Sequence, residues 1–398
     1  MGEGTRPRRR WIKITLLSLL ALVVVAAAGF FTFAPRIVEN GMNRIDPAEL
    51  PEVSASTQEL HDSLEIIDMH SDTLMWDRDI LDRSDRGHMD LPRLEDGNVA
   101  LQVFSSVSKS PKGQNYDSNT DETDNITLLT IAQLQPPRTW RSLLQRSLYH
   151  AEKLRDAAED SDGALRLIRT REDVDGLIAD REDGKKVTGA LFSVEGLQNL
   201  EGDFDNLDKL YDAGMRMAGF THFFDNEVAG SMHGVDKGGL TDLGRRVLAE
   251  MERRGIIVDI AHASHDAVAE MLDLATKPVV LSHGGVQATC KVNRNLTDEE
   301  IRGVAATGGV VGVGYWDAAV CDLTTQAVVD AIDHVVKIGG IETAALGSDY
   351  DGATTVGWDT SHLAAITQEL VDRGYDDTEI AAIMGGNTLR VLRATLPE

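Results

Sequence analysis

Side chains that bind metals or protons follow six short apolar segments of the sequence, each at the point where the segment ends. The first segment ends in His70-Ser-Asp72 and the second ends in Glu195. The other four end in His222, His262, His283 and Asp349-Tyr-Asp351. Imidazole nitrogens and carboxylate oxygens together suit zinc or a similar metal ion. One such ending is weak evidence, but six of them in chain order predict a metal-dependent hydrolase.

The first two endings predict one metal site and a bridge to a second. His70 and Asp72 are two residues apart, so on a strand both side chains face the same side and can bind one cation. A hydrogen-bonded His–Asp pair is the alternative. Glu195 follows a fully apolar segment, where a carboxylate is costly to bury without a positive partner. The Glu195 carboxylate could bind two cations, one with each oxygen. A salt bridge to a lysine or arginine is the alternative.

The later endings predict the second metal site and the groups that handle the substrate. His262 and His283 end consecutive strands, so they are expected side by side as ligands of a second ion. His222 is another ligand, a group that supports a ligand, or a hydrogen-bond donor to the substrate. Asp349 or Asp351 is the natural proton-transfer group.

Two further charged residues near these histidines are expected in different places. Arg294 lies in the loop eleven residues after His283, where a guanidinium suits a substrate carboxylate held by two hydrogen bonds. A surface arginine paired with a local acid is equally compatible with the sequence. Asp259 lies an odd number of residues before His262, so strand alternation predicts that it faces outward.

Eight apolar segments and the helical patterns between them predict the elements that position these residues. The segments read as buried parallel strands and cover residues 64–68, 99–105, 189–194, 218–221, 256–260, 279–282, 309–315 and 344–347. Helices are expected over 140–160, 243–254, 266–275, 326–338 and 378–392, with another opening at Asp298. Asp242 is expected to cap the second helix, and Thr297 with Glu300 forms a capping box for the helix at Asp298. The alternation predicts a (β/α)8 TIM barrel with its site at the strand C-terminal ends.

Composition limits the partners. The chain has 398 residues, 42% hydrophobic and 26% charged, which predicts a folded core. Its formal net charge of −26 repels a nucleic acid backbone, so a nucleic-acid partner is not expected. The two cysteines, Cys290 and Cys321, can form a disulfide outside the cytoplasm, and two buried thiols are the alternative.

The N-terminus predicts a membrane anchor. Five basic residues within the first 13 precede an uncharged stretch over residues 14–34, which is about long enough to span a bilayer. The basic residues favour a cytoplasmic N-terminus. A cleaved signal peptide is the alternative, although its apolar region is typically shorter, about 7–15 residues. We therefore expect a cytoplasmic segment over 1–13, a single-pass anchor over 14–34, a polar linker over 35–63, and an extracytoplasmic catalytic barrel over 64–398.

Together, these motifs resemble the membrane (renal-type) dipeptidase family, peptidase family M19. The matching segments are Asp68-Met-His-Ser-Asp72, Ser193-Val-Glu-Gly196, Thr221-His222, Gly239-Leu-Thr-Asp-Leu-Gly-Arg245, Val258-Asp-Ile-Ala-His-Ala-Ser264, Ser282-His283, Arg294-Asn295, Gly347-Ser-Asp-Tyr-Asp-Gly352 and Gly386-Asn-Thr-Leu-Arg390. They span about residues 64–392. The stretch after His222 looks more like bacterial than animal members, and animal members carry a C-terminal lipid anchor where this chain has an N-terminal one. The loop over 109–124 has no counterpart in the resemblance.

The resemblance implies a metal centre and roles for its neighbours. Two zinc ions are implied, one on His70 and Asp72 and one on His262 and His283, with Glu195 bridging them. The other roles implied are polarisation of the scissile carbonyl by His222, binding of the C-terminal carboxylate by Arg294, and acid/base catalysis by Asp349. Animal members have a disulfide-linked cysteine pair near the positions that match Cys290 and Cys321, which favours a disulfide here.

The expected function is zinc-dependent hydrolysis of dipeptides. The expected partners are a small dipeptide and the membrane, with a homodimer left open. Lactonases, phosphotriesterases and deaminases with two metals typically use a carboxylated lysine or begin with H-x-H, whereas this chain has H-x-D and Glu195. A non-catalytic surface binding protein on the same scaffold is expected to lack one or more ligands, and none is missing from the sequence.

Overall fold

Eight parallel strands close into a barrel in the computed structural model, which describes residues 6–398. The strands are β1 (Ile66–Ser71), β2 (Val99–Phe104), β3 (Thr188–Glu195), β4 (Met215–Gly219), β5 (Ile257–Asp259), β6 (Val279–Gly284), β7 (Val310–Val313) and β8 (Ala344–Leu346). Each strand pairs with the next along the chain, and β8 pairs with β1 through Leu346 and Asp68, which closes the ring. All eight predicted strands are present, and the predicted TIM barrel is confirmed.

Apolar side chains fill the barrel. Every strand contributes to one buried cluster through Met69, Leu101, Leu191, Met217, Ile257, Val280, Val310 and Ala345. Alternate residues of the same strands pack outward against the helices in a second cluster. Because the interior is packed, a ligand can bind only at an end of the barrel, and in TIM barrels the active site lies at the C-terminal ends of the strands.

Helices surround the strands. The α-helices are Ala55–Asp62, Leu91–Asp96, Ile126–Ala132, Leu143–Asp160, Arg171–Glu182, Asn206–Asp212, Asp242–Arg254, His265–Leu274, Asp298–Ala306, Asp317–Val320, Thr325–Gly339, Ala364–Arg373, Asp377–Ala381 and Asn387–Thr395, besides an N-terminal helix, Arg6–Met42. Short 3-10 turns lie at Thr73–Met75, Pro137–Trp140, Leu197–Leu200, Ile341–Thr343 and Thr360–His362. A further short strand, Leu165–Leu167, pairs with the beginning of β3 and was not predicted.

The predicted helices are present, with two corrections. Thr241, not Asp242, caps the helix Asp242–Arg254, because its hydroxyl accepts the backbone N–H of Gly244. The helix expected over 378–392 is interrupted by a π-helical segment, Ala382–Gly386. Gly385 packs so closely on the barrel there that a Cβ would lie 1.8 Å from the Glu65 carbonyl oxygen. The capping box of Thr297 and Glu300 is confirmed.

The N-terminal helix is the one helix in the described part of the chain that is long and apolar enough to cross a membrane. It continues eight residues beyond the predicted anchor, through Pro35, and ends at Met42. Its last turns lie on the barrel, with Pro35, Glu39 and Asn43 buried along one face. Proline removes one backbone donor but does not always end a helix.

The residues that follow this helix also pack on the barrel. A short strand, Arg44–Ile45, pairs in parallel with another, Thr355–Val356, and the helix Ala55–Asp62 buries Thr57 and His61. The expectation of a polar spacer that stands apart from the core is therefore wrong. A polar composition does not show which polar side chains have buried partners.

The structure joins Cys290 and Cys321 in a disulfide, with Cα atoms 5.3 Å apart. Cys290 follows β6 and Cys321 follows β7. The bond ties the loop that carries Arg294 to the neighbouring loop, so it restricts the movement of one side of the barrel mouth.

One buried histidine makes the fold sensitive to acid. His150 lies on the helix Leu143–Asp160, and its Nδ1 is 2.8 Å from the Ser106 hydroxyl. Burial lowers the pKa of His150 to about 3, with the nearby Lys153 and Arg146 adding to the effect. In the unfolded chain the same ring has a pKa of about 6.5.

We predict that His150 costs the protein stability at acidic pH. Below a pH of about 6.5 this ring binds a proton in the unfolded chain but stays neutral in the native protein. The free energy of unfolding therefore falls as pH falls. The loss for this ring is about 2 kcal/mol by pH 5. Urea unfolding of wild type and His150→Gln at pH 7 and pH 5 measures it, because glutamine keeps a hydrogen-bonding group beside Ser106. An equal pH dependence in the two proteins would contradict the prediction.

Candidate metal centre and active site

The predicted site residues meet at the C-terminal mouth of the barrel. His70 is the second-last residue of β1 with Asp72 just beyond the strand, Glu195 ends β3, and His283 is the second-last residue of β6. Three more residues each lie three positions beyond the end of their strand: His222, His262 and Asp349. All seven side chains are buried, with at most 7% of their surface exposed. The segments that appeared as separate strand endings in the sequence therefore form one cluster.

Glu195 is at the centre of this cluster. Its Oε1 lies 2.9 Å from Nε2 of His262 and 3.3 Å from Nε2 of His283. Its Oε2 lies 3.7 Å from Nε2 of His70 and 3.6 Å from Nε2 of His222. The two carboxylate oxygens thus face two different pairs of imidazoles. The alternative of a salt bridge from Glu195 to lysine or arginine is not what the structure shows.

A second group of carboxylates lies on the His70 side of the cluster. Nε2 of His70 is 3.6 Å from Oδ1 of Asp72 and 4.0 Å from Oδ1 of Asp349. The expectation that His70 and Asp72 share one side agrees with this geometry. Asp349 has a left-handed backbone, with φ of 59°, as does His262, with φ of 62°. Such conformations cost non-glycine residues about 1 kcal/mol or more and cluster at functional sites.

Unpaired donor atoms show that the cluster fits cations. Both ring nitrogens of His70, Oδ1 of Asp72 and Oε2 of Glu195 are buried without a hydrogen-bond partner, an arrangement that costs free energy unless something else binds them. Nε2 of His262 and Nε2 of His283 are 3.1 Å apart. Two imidazoles on one tetrahedral zinc would bring their nitrogens to about 3.3 Å. The donor set and its spacing therefore suit metal ions on both sides of Glu195.

Electrostatics in the cluster favour added positive charge. Burial alone would lower the pKa of His70, but nearby carboxylates, led by Glu195, raise it to about 10. Burial would raise the pKa of Glu195, yet the surrounding histidines hold it well below its ordinary value. The carboxylates thus hold a proton on His70, and a cation among them would replace that proton.

Asp349 has the opposite protonation preference to Glu195. Burial, opposed by His70 and reinforced by Asp72, keeps the pKa of Asp349 well above its ordinary value. A buried carboxyl group whose pKa is raised holds a proton more readily than an exposed one, which suits a general acid and base. Asp351, the other candidate from the sequence, instead pairs with Arg78 and accepts the backbone N–H of His88 at 2.7 Å. Asp351 therefore supports the loop, and Asp349 is the proton-transfer candidate.

Asp259 was placed incorrectly by the sequence. It lies inside the barrel, on the same strand face as the interior residue Ile257, and its Oδ2 accepts the hydroxyl of Ser282 at 2.6 Å. That hydroxyl lies 2.8 Å from Nδ1 of His283. Since the Ser282 proton goes to Asp259, its oxygen accepts the Nδ1 proton of His283, which leaves Nε2 free to face Glu195. Counting from His262 failed because that residue lies beyond the strand in a left-handed conformation.

Arg294 is buried at the edge of the cluster. It is 3% exposed, its Nη2 donates to the His283 carbonyl at 3.2 Å, and its guanidinium lies 4.5 Å from the Trp316 ring centre. Nε has no hydrogen-bond partner, and none of the ion pairs among the described residues involves Arg294. The alternative of a surface arginine paired with a local acid is therefore excluded, and the group is free to bind an anion.

His222 presents one ring nitrogen to the cluster and the other to a loop. Nδ1 lies 3.3 Å from the carbonyl oxygen of Lys109, so it is the donor in that bond. Lys109 begins the loop over residues 109–124, and Tyr116 of the same loop lines the cavity. His222, Glu195 and His262 also lie close enough to share an ion, so geometry alone leaves His222 either role.

The cavity above the cluster has a volume of about 440 Å³, which suits a small molecule. Its polar side contains the predicted residues, among them Asp72, Glu195, His222, His262, Arg294 and Asp349. Its apolar side, which sequence reasoning missed, is formed by Val38, Met42, Met75, Trp76, Val107, Ile126 and Leu129. His233 was also missed: it is fully buried and stacks on Phe223, which lines the cavity. These residues come from separate helices and loops, and no pattern in a single sequence shows that they meet around one cavity.

Comparison with known proteins agrees with these observations. The family model described as membrane dipeptidase (Peptidase family M19) matches residues 54–396. An uncharacterized dipeptidase of Schizosaccharomyces pombe is 28% identical over 321 residues, which cover 78% of this chain and 73% of the relative. The match to the family model covers most of the chain and all of the clustered residues.

Solved structures share the fold. The probable dipeptidase PvdM from Pseudomonas aeruginosa superposes with a TM-score of 0.70 at 20% identity, covering 85% of this chain and 97% of that chain. A metallo peptidase from Rhodobacter sphaeroides was solved with a phosphinate mimic of the dipeptide L-Ala-D-Ala. It superposes with a TM-score of 0.68 at 21% identity, covering 83% of this chain and 99% of that chain.

Proposed function

The chain belongs to the membrane dipeptidase family, peptidase family M19, and on that premise we propose that it hydrolyses dipeptides with two zinc ions held around Glu195. The observation that carries the proposal is the buried Glu195 carboxylate, whose oxygens face two separate pairs of histidines. Uncompensated negative charge in such a place is costly, and two cations remove the cost.

The ligands divide between the two oxygens of Glu195. His262 and His283 would hold one ion on the Oε1 side, where their Nε2 atoms already converge. His70 and Asp72 would hold the other on the Oε2 side, where their donor atoms lack partners. Bound zinc lowers the pKa of water towards neutrality and so supplies a hydroxide for attack on the peptide bond.

The other residues orient the substrate and move protons. Arg294 binds the C-terminal carboxylate of the dipeptide in two hydrogen bonds, which fixes the scissile bond over the cluster. Asp349 takes the proton of the attacking water and gives one to the leaving amine. His222 polarises the carbonyl oxygen through Nε2. Since Nδ1 already donates to Lys109, this donation needs a proton on Nε2 as well.

The proposal includes a location. The N-terminal helix can cross a membrane, and the basic residues before its apolar stretch favour a cytoplasmic N-terminus. The barrel would then lie on the extracytoplasmic side, where the disulfide of Cys290 and Cys321 is stable.

Turnover of a dipeptide panel by the full chain in detergent tests the function. We expect hydrolysis of dipeptides, loss of activity with a chelator, and recovery when zinc is added back. C-terminally amidated dipeptides should react at least about 10-fold more slowly, because Arg294 loses a charge-assisted bond. Hydrolysis of lactones or phosphotriesters with no action on dipeptides would point to another binuclear hydrolase. Metal binding without turnover of any of these would point to a binding protein.

Asp349→Asn should remove most turnover while the protein keeps its metal. The amide has nearly the same shape but cannot exchange the proton, so we expect kcat to fall by about 100-fold or more. Kinetics combined with metal analysis of the purified variant measures both effects. Unchanged kcat would contradict the role of Asp349, and lost metal would make it a ligand instead.

A further inference from the structure

The end of the N-terminal helix forms part of the wall of the active-site cavity. Val38 and Met42 line the same cavity as Glu195, His222 and Asp349. The two residues are four positions apart, so they lie on one helical face, and each is 42% exposed. A helix whose beginning is suited to a membrane therefore reaches the catalytic mouth in one continuous piece.

Val38 and Met42 belong to an apolar wall with four other side chains of the mouth. Met75 and Trp76 follow β1, and Ile126 and Leu129 lie on the helix that follows β2. We call these six residues the apolar wall. The backbone loop that carries Asp349 supports it, because Trp76 Nε1 donates to the Asp351 carbonyl at 2.7 Å.

The apolar wall and Arg294 lie on opposite sides of the mouth. Arg294 follows β6, which is three strands from β1 and four from β2 around the ring of eight. A dipeptide that places its carboxylate on Arg294 and its peptide bond over Glu195 extends its N-terminal residue towards the wall. Apolar side chains there gain about 25 cal/mol for each Å² buried.

A buried ion-pair network holds the helix end in place. Glu39 is 2% exposed and forms an ion pair with Arg78, whose Nε lies 2.5 Å from Oε1. Its Oε2 accepts the Nε–H of Arg86 at 2.6 Å. Arg78 also pairs with Asp351. Asn43 accepts the backbone N–H of Ala353 at 2.9 Å. The position of Val38 and Met42 is thereby tied to the loop that carries Asp349.

We infer that Val38 and Met42 determine specificity by packing against an apolar side chain on the N-terminal residue of the dipeptide, with Glu39 as the positioning residue. The inference rests on the proposed function, since it takes the substrate orientation from Arg294. It assigns to the membrane-proximal helix a part in substrate choice beyond attachment.

Val38→Trp in the full chain, with Ile37→Trp as a matched control, tests the inference. Ile37 is the adjacent residue, is 69% exposed and does not line the cavity. We expect Val38→Trp to lower kcat/KM for Leu-Ala and Phe-Ala by at least about 10-fold through KM, because a filled hydrophobic pocket discriminates by such factors. Gly-Ala should change by less than about 2-fold. Ile37→Trp should change neither.

Met42→Ala and Glu39→Gln extend the test. Met42→Ala should raise KM for Leu-Ala several-fold and leave Gly-Ala nearly unchanged. Glu39→Gln should lower kcat/KM for Leu-Ala relative to Gly-Ala, as the changes at Val38 and Met42 do. A general loss of folding would lower both values equally.

Three outcomes would overturn the inference. The first is a loss that is equal for all dipeptides, and the second is a loss that follows the C-terminal residue instead. The third is an effect of Ile37→Trp equal to that of Val38→Trp. If wild type hydrolyses no dipeptide, the proposed function fails and this inference fails with it. Wild-type turnover with unaltered selectivity in the variants overturns this inference alone.

Discussion

The arrangement of the barrel mouth depends on one buried carboxylate. Glu195 is 4% exposed at the end of a strand whose every residue is buried. A charge in that position is stable only if positive charge surrounds it, and each of its ion-pair partners among the described residues is a histidine. Histidines can satisfy it by holding protons or by holding metal ions. The unpartnered nitrogens and oxygens nearby favour metal ions.

Hydrogen bonds behind the cluster orient its members. Asp259 fixes the Ser282 hydroxyl, and that hydroxyl fixes the ring of His283 so that Nε2 faces Glu195. The carbonyl of Lys109 has the same effect on His222. Partners of this kind usually change metal affinity or activity by about 10–100-fold when removed. The fold therefore brings these histidines together and also orients their ring nitrogens towards Glu195, whereas mobile surface histidines would have no fixed orientation.

Much of the site could be predicted because its members occupy equivalent positions on successive strands. His70, Glu195 and His283 each end an apolar segment, and the parallel barrel brings such ends together by symmetry. Asp259 could not be placed, because His262 leaves the strand in a left-handed conformation and breaks the alternation on which the count relied. Arg294 could be singled out by its distance from His283 in sequence, but only the structure shows its buried packing on Trp316.

The least predictable part was the segment after the predicted anchor, residues 35–63. Its polar composition and Pro35 are typical of a spacer, yet Glu39 pairs with Arg78, about 40 residues away. Asn43 accepts the backbone N–H of Ala353, more than 300 residues away in sequence. Such long-range pairing leaves no periodic pattern in a single sequence. Its effect is to attach the helix end to the loop of Asp349, so the anchor and the catalytic loop are mechanically connected.

The central claim is that one carboxylate joins two cations, and metal content measures it most directly. Elemental analysis of the purified full chain should give two zinc ions per chain, and Glu195→Gln should fall to one or fewer because the bridging charge is lost. Two ions per chain in Glu195→Gln, or a single ion in wild type, would contradict the account.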